Sequence, residues 1–208
     1  MPSKVTIIDY HCGNLKSVEQ AIAHIGAEVE MTSDPEVILA AEKLILPGVG
    51  AFPVGMENIK SLNLFDAIIT KVNAGTPILG ICLGMQLLLE HSDEHGGADG
   101  LGLIKGQVKK IVSTNPSLKL PHIGWCKLEV VKENDALLSQ ADYFYFVHTY
   151  MALPENESAV LAKGQYEDVE FCAAVSQDNI WGMQFHPENS ADAGLAILKA
   201  FAELPLKS

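Results

Sequence analysis

The sequence predicts an α/β protein: an open, mostly parallel sheet covered by helices on both faces, with antiparallel strands added in the C-terminal half. Three features predict it. Short β-branched runs alternate with helical periodicity through the N-terminal half. An apolar run, Pro77 to Ile81, leads through a small-x-Cys-x-small turn into a helical pattern. From Gly106 onward, β-rich pieces follow one another at short intervals.

Taken in order, Lys4–Tyr10 is a β-branched run suited to a buried parallel strand. After a His11-Cys12-Gly13 turn, the helix 14–25 repeats its apolar positions at Leu15, Val18, Ala21, Ile22 and Ile25, and Gly26 closes it. Ala27–Met31 is the second strand. Ser33-Asp34-Pro35 opens a short helix, with a capping residue ahead of proline at the first position. Lys43–Leu46 is the third strand and ends in Pro47-Gly48-Val49-Gly50. Helices over 53–61 and 64–74 precede the strand at 77–81, and 85–90 reads as helix. Strands are expected at 107–112, 122–130, 143–147, 159–163, 171–176 and 180–185, with a last helix over 191–203. Glu94–Gly100 reads as a surface turn, and Ser92-Asp93-Glu94 and Glu167-Asp168 as solvated loops. With no repeat, low-complexity tract or long linker, residues 1–208 are expected to form one domain.

Composition narrows the function. No apolar run approaches the roughly 20 residues of a membrane span, and Met1-Pro2-Ser3-Lys4 leads into a strand without a signal-peptide pattern, so a cytoplasmic protein is expected. Cys12, Cys82, Cys126 and Cys172 lie far apart, without metal-ligand spacing, and read as free thiols; neither a metal nor a cofactor is implied. The net charge is −12, and all 14 basic residues are lysines. Without arginine forks or a basic face, the chain is a poor candidate for binding nucleic acid or another polyanion.

The residues 80–86, Gly-Ile-Cys-Leu-Gly-Met-Gln, have the pattern of a nucleophile elbow with cysteine in place of serine. The turn lifts Cys82 off the sheet at a helix N-terminus, where the macrodipole favours the thiolate, and the Leu83 N–H can form half of an oxyanion hole. Pro47-Gly48-Val49-Gly50 ends the third strand and could turn an amide towards the same point. Met183-Gln184-Phe185-His186-Pro187-Glu188 follows another strand. There His186 suits the role of base and Glu188 that of the carboxylate that orients it. Taken alone, each motif also reads as plain structure: a buried cysteine, a strand-ending turn, a partly buried histidine. Together, and in this chain order, they point to a Cys-His-Glu hydrolase.

These two motifs resemble those of class I glutamine amidotransferases. Leu46–Phe52, Pro121-His122-Ile123-Gly124-Trp125 and Tyr145-Phe146-Val147-His148-Thr149-Tyr150 are similar to stretches in the glutaminase subunits of imidazole glycerol phosphate synthases, and the likeness runs from Ile8 to the last helix. The resemblance implies a three-layer, flavodoxin-like fold in which Cys82 attacks the side-chain amide of L-glutamine, His186 protonates the leaving ammonia and Glu188 orients His186. The oxyanion would be held by the amide of Leu83 and one from Val49-Gly50 after a reorientation. Gly48, Gly50, Gln86, His148, Thr149 and Tyr150 would bind glutamine. The ammonia would pass to a (β/α)8-barrel cyclase subunit in a heterodimer of histidine biosynthesis. Such a barrel would bind the phosphates, in keeping with the missing arginines.

The sequence departs from this pattern at His11, Cys126 and Asn189, where the family more often has glycine, asparagine and a basic residue. Asn14, His122, Trp125, Cys126 and Asn189 are candidates for the partner face. His122 also reads as a satisfied structural histidine. His148 reads as packing and positioning backbone, and Cys12, Cys126 and Cys172 as small packing residues. Other readings are a paralogous glutaminase feeding a different synthase, a stand-alone cysteine hydrolase of the same fold, and a silent binding subunit, which the intact triad disfavours.

Overall fold

The computed structural model describes residues 4–140 and 142–206. The N-terminal half runs β1 (Lys4–Ile8), α1 (Leu15–His24), β2 (Glu28–Thr32), α2 (Pro35–Ala40), β3 (Leu44–Leu46), α3 (Phe52–Ser61), α4 (Leu64–Asn73), β4 (Ile78–Ile81) and α5 (Leu83–Leu87). The C-terminal half adds β5 (His91–Ser92), β6 (Ala98–Asp99), β7 (Gly106–Lys110), β8 (His122–Lys127), β9 (Glu129–Val130), β10 (Tyr143–His148), β11 (Tyr150–Pro154), β12 (Val160–Tyr166), β13 (Val169–Gln177), β14 (Ile180–Met183) and α6 (Ala191–Ala202).

The large sheet has the order β2-β1-β3-β4-β14-β13-β11-β7-β5-β6, with β12 and β9 branching from β13. Its first five strands are parallel, and antiparallel pairing begins where β14 meets β13. Alternation along the strands divides the core between the two faces. Leu44, Leu46 and Ile78 join α2, α3, α4 and α5 on one side, while Ile7, Ile45, Leu79 and Ile81 join α1 and α6 on the other. The predicted layers and class hold.

Details differ. The expected C-terminal β-pieces do not all join one sheet: among the described residues β8 and β10 pair only with each other, forming a separate two-stranded sheet. The helix expected over 85–90 is α5, which starts earlier and ends at Leu87. Strand β11 was not expected, because Tyr150–Pro154 follows β10 with no turn residue between them.

The elbow is built from close backbone contacts. A Cβ on Gly80 would stand 2.7 Å from the Gly84 carbonyl, and one on Gly84 would stand 1.7 Å from the Leu46 carbonyl oxygen. Only glycine lets α5 begin directly against β3 and β4. Between the two glycines, Cys82 takes φ 53° and ψ −107°, a left-handed conformation that costs roughly 1–3 kcal/mol in a non-glycine residue and is held by its surroundings.

Gly84→Ala is therefore expected to lower stability by about 3 kcal/mol, read from the urea midpoint. Gly26→Ala, where the new Cβ would meet nothing within 4 Å and only the φ of +83° opposes it, is expected to cost about 1–2 kcal/mol. An unchanged midpoint for Gly84→Ala would contradict the close approach of α5 to β3.

Candidate active site

The site forms at the carboxyl ends of β4 and β14, which lie side by side in parallel register with Ile81 opposite Met183. One step beyond that pair, the Cys82 N–H donates to the Met183 carbonyl at 2.7 Å. This joins the elbow to the segment that carries Gln184, His186 and Glu188. His186 is anchored by β10: its N–H donates to the Tyr145 carbonyl at 2.9 Å. The Ser190 hydroxyl donates to the His186 carbonyl at 2.7 Å and accepts from the Tyr145 N–H at 3.0 Å.

His186 Nδ1 lies 2.8 Å from Glu188 Oε1, both side chains buried, and Cys82 is the other polar neighbour that acts on the ring. Burial alone would lower the pKa of His186. The interactions with Cys82 and Glu188 outweigh it and raise the value to about 10, so the ring is an imidazolium at neutral pH. Cys82 Sγ lies 3.7 Å from the Val147 carbonyl oxygen, and Gln184 Nε2 donates to Cys82 Sγ at 3.8 Å.

A cavity of about 190 Å³ opens above Cys82, lined by Val49, Gly50, Leu83, Gln86, Glu94, Pro121, Val147, His148, Thr149 and Tyr150. Of the residues singled out for binding, only Gly48 lies outside this lining. It sits buried behind the cavity, and its carbonyl accepts the Leu83 N–H at 3.2 Å. In this conformation the Leu83 amide is occupied by the chain itself. Gln86 is held from both ends of its amide nitrogen, donating to the Tyr150 carbonyl at 3.1 Å and to Gln184 Oε1 at 3.0 Å.

His148 supports the same wall. Its Nδ1 lies 2.9 Å from the Tyr150 carbonyl, which can only accept, so Nδ1 carries the proton and Nε2 accepts from His122 Nδ1 at 3.0 Å. Stacking on Tyr166 and Phe146 buries His122. Burial lowers both histidines to about 4, and the neighbouring His122 and His186 add to the shift at His148.

The candidate partner face separates by strand phase. Along β8, His122 and Cys126 point inward and are buried, whereas Trp125 is 53% exposed and lies across the Tyr145 ring. The side chains of His122 and Cys126 are therefore not available to a partner, because period-2 alternation places them opposite Trp125. Asn14 and Asn189 are exposed.

Two further residues enter the site. Gln184, fully buried, bridges Cys82 and Gln86; its spacing of two from His186 was the available signal. Glu94, expected in a solvated loop, is buried, as is Ser92. The Glu94 carboxylate accepts the Phe52 N–H at 2.8 Å at the start of α3 and faces the cavity. The loop is acidic in composition, but it folds back over the elbow.

The family model for class-I glutamine amidotransferases matches residues 6–203. The chain is 44% identical over 208 residues to the imidazole glycerol phosphate synthase subunit HisH of Geobacter sulfurreducens, covering 97% of this chain and 99% of that one. It is 47% identical over 203 residues to the subunit of the same name from Lactococcus lactis, covering 96% and 98%. Among solved structures, a glutamine amidotransferase superposes with a TM-score of 0.74 at 20% identity, covering 96% of this chain and 99% of that one. A chain in the structure of PurLQS from Thermotoga maritima gives 0.73 at 18% identity, covering 97% and 98%.

The histidines set opposite pH dependences. For His122 and His148 the unfolded chain, with a pKa near 6.5, binds protons more readily than the folded one. Their contribution to stability is complete above about pH 6.5 and is lost as pH falls towards 4. That of His186 is complete below about 6.5 and is lost as pH rises through 10. Ring-proton NMR should find His122 and His148 neutral down to about pH 4, and His186 protonated up to about pH 10. Titration of all three near 6.5 would contradict the buried hydrogen-bonding described.

Proposed function

The chain belongs to the class I glutamine amidotransferase family, and from that premise we propose that it is the glutaminase subunit of an imidazole glycerol phosphate synthase, acting as a single domain over residues 1–208. It hydrolyses glutamine and feeds the ammonia to a cyclase in histidine biosynthesis. The observation that carries the chemistry is the Cys82–His186–Glu188 array beside the cavity that opens above Cys82.

Cys82 Sγ attacks the side-chain carbonyl carbon of glutamine, and the carbonyl oxygen becomes an oxyanion. His186, held as imidazolium by Glu188, gives its proton to the amide nitrogen, and the C–N bond breaks to release ammonia and leave a glutamyl thioester. The neutral His186 then takes a proton from water. The resulting hydroxide attacks the thioester, and glutamate leaves with the thiolate and imidazolium restored. Glu94 supplies the negative charge that meets the substrate's α-ammonium group, while Gln86 and the Thr149-Tyr150 backbone position the rest.

The oxyanion is stabilised by the Leu83 N–H together with an amide of Val49-Gly50. With Leu83 donating to Gly48 in the resting arrangement, the hole is incomplete, so activity depends on turning the Gly48 carbonyl away. A partner docked near this segment would favour that change, which supports a conditional glutaminase over a stand-alone hydrolase.

The partner is a (β/α)8-barrel cyclase forming a heterodimer with this chain in the cytoplasm. Exposed Trp125 with Ile123 and Tyr143 offers it an apolar surface, and Asn14 and Asn189 are exposed as well. No helix among the described residues is long and apolar enough to cross a membrane.

The first test is glutamate release by the purified chain, alone and with the cyclase subunit and its nucleotide ligand. Activity is expected to be low alone, to rise strongly with the complete pair, and to vanish in Cys82→Ala while folding and association persist. High activity indifferent to the cyclase would sink the coupled reading. Trp125→Ala should weaken association by about 2 kcal/mol, roughly thirtyfold in Kd by calorimetry, with basal glutaminase activity unchanged.

A further inference from the structure

Beneath the segment that forms the oxyanion hole lies a buried polar group that the reaction described above leaves unused. Tyr10, two residues beyond β1, is fully buried, and its hydroxyl has no hydrogen-bond partner among the described residues. Burial raises its pKa well above the ordinary tyrosine value, with Cys12 and Cys82 adding to the shift, so the group is a proton donor at any physiological pH. An unpaired buried hydroxyl costs roughly 1–3 kcal/mol, and its persistence in a tightly packed position needs a reason.

Its neighbour supplies one. A Cβ on Gly48 would stand 1.9 Å from the Tyr10 hydroxyl oxygen and 3.2 Å from Cζ, so the phenol occupies the space a side chain at 48 would need. Gly48 is also the residue whose carbonyl holds the Leu83 N–H at 3.2 Å. Two orphans therefore meet at one place. In the resting arrangement the Tyr10 hydroxyl has no acceptor. Once the Leu83 N–H is released to an oxyanion, the buried Gly48 carbonyl has no donor. Glycines flank the peptide that turns: a Cβ on Gly13 would stand 2.8 Å from Val49 N and 2.9 Å from Gly48 Cα, so its absence leaves that side open, and Gly50, at φ +138°, would with a Cβ meet only Leu83 Cδ2, at 4.0 Å.

We propose that Tyr10 is a positioning residue for glutamine hydrolysis: its hydroxyl donates to the Gly48 carbonyl after that carbonyl leaves Leu83, and so holds the oxyanion hole in its competent form. The inference rests on the reading of Cys82 as nucleophile and Leu83 as oxyanion donor. A bond made only in the competent state raises the population of that state without touching the substrate, so its loss lowers kcat and leaves KM alone.

Tyr10→Phe removes the hydroxyl and keeps the ring. In the variant, kcat for glutamate release is expected to fall on the order of five- to tenfold, with KM for glutamine unchanged, both alone and with the cyclase subunit. The melting temperature should stay level or rise, because the resting state loses an unpaired hydroxyl. Alkylation of Cys82 by iodoacetamide, a displacement at carbon that forms no oxyanion, should keep its rate. Wild-type kcat in Tyr10→Phe, with Cys82→Ala inactive, would overturn the role of Tyr10 and leave the thiol chemistry standing. A matching loss of alkylation rate or of melting temperature would make Tyr10 a packing residue and overturn it equally. Activity surviving in Cys82→Ala would instead remove the reading on which the inference rests.

Discussion

The parallel pairing of β4 with β14 is the constraint on which the rest of the site depends. The two strands come from sequence positions about a hundred residues apart, yet their register sets Ile81 opposite Met183, and the Cys82 N–H closes onto the Met183 carbonyl at 2.7 Å. A slip of one residue would turn every side chain beyond that point to the opposite face. Cys82, Gln184 and His186 would then no longer converge. The register is held by burial on both faces, since Ile78, Leu79, Ile81 and Met183 are almost wholly excluded from water. Hydrophobic packing thereby fixes a geometry that the polar groups alone could not hold against water.

Around that pairing, the buried polar groups form connected runs. Gln184 reaches Cys82 and Gln86; Gln86 reaches Tyr150; His148 reaches the same Tyr150 carbonyl and is itself held by His122. In a low-dielectric interior such bonds stiffen one another, and a missing member would leave its neighbours unpaired. The wall facing the substrate is rigid for this reason. The opposite wall is different: it consists of the glycine-rich end of β3, with Val49 about half exposed and open space where a side chain on Gly50 would stand. Rigidity on one wall and freedom on the other are what the proposed conditional activity would need.

Electrostatics divide the three buried histidines into two kinds. His122 and His148 have burial without a carboxylate and remain neutral, which allows each to donate from one nitrogen and accept at the other. His186 is buried too, but with Glu188 at 2.8 Å and Cys82 on its other side it holds its proton. The same residue type is thus neutral in one sheet and protonated beside the next, according to whether a negative partner shares its surroundings.

The sequence by itself determined the layers and the elbow, and it singled out Cys82, His186 and Glu188, which the structure brings together. Alternation, helical periodicity and glycine spacing are written in contiguous residues, and a Cys82 turn paired with His186-Pro187-Glu188 admits few other meanings. Tertiary structure alone decided what long-range packing brings together. It turned Glu94 from a solvated loop onto the Phe52 N–H and the cavity, because the loop after α5 folds back over the start of α3. It turned His122 and Cys126 inward through the phase of β8, which no composition reveals, and left Trp125 as the exposed aromatic of that strand. It also set an unpaired tyrosine hydroxyl against Gly48, two residues 38 positions apart (48 − 10) whose meeting depends on the pairing of β1 with β3. Local signals fix what each element is; only the register between distant strands fixes which side chains share the site.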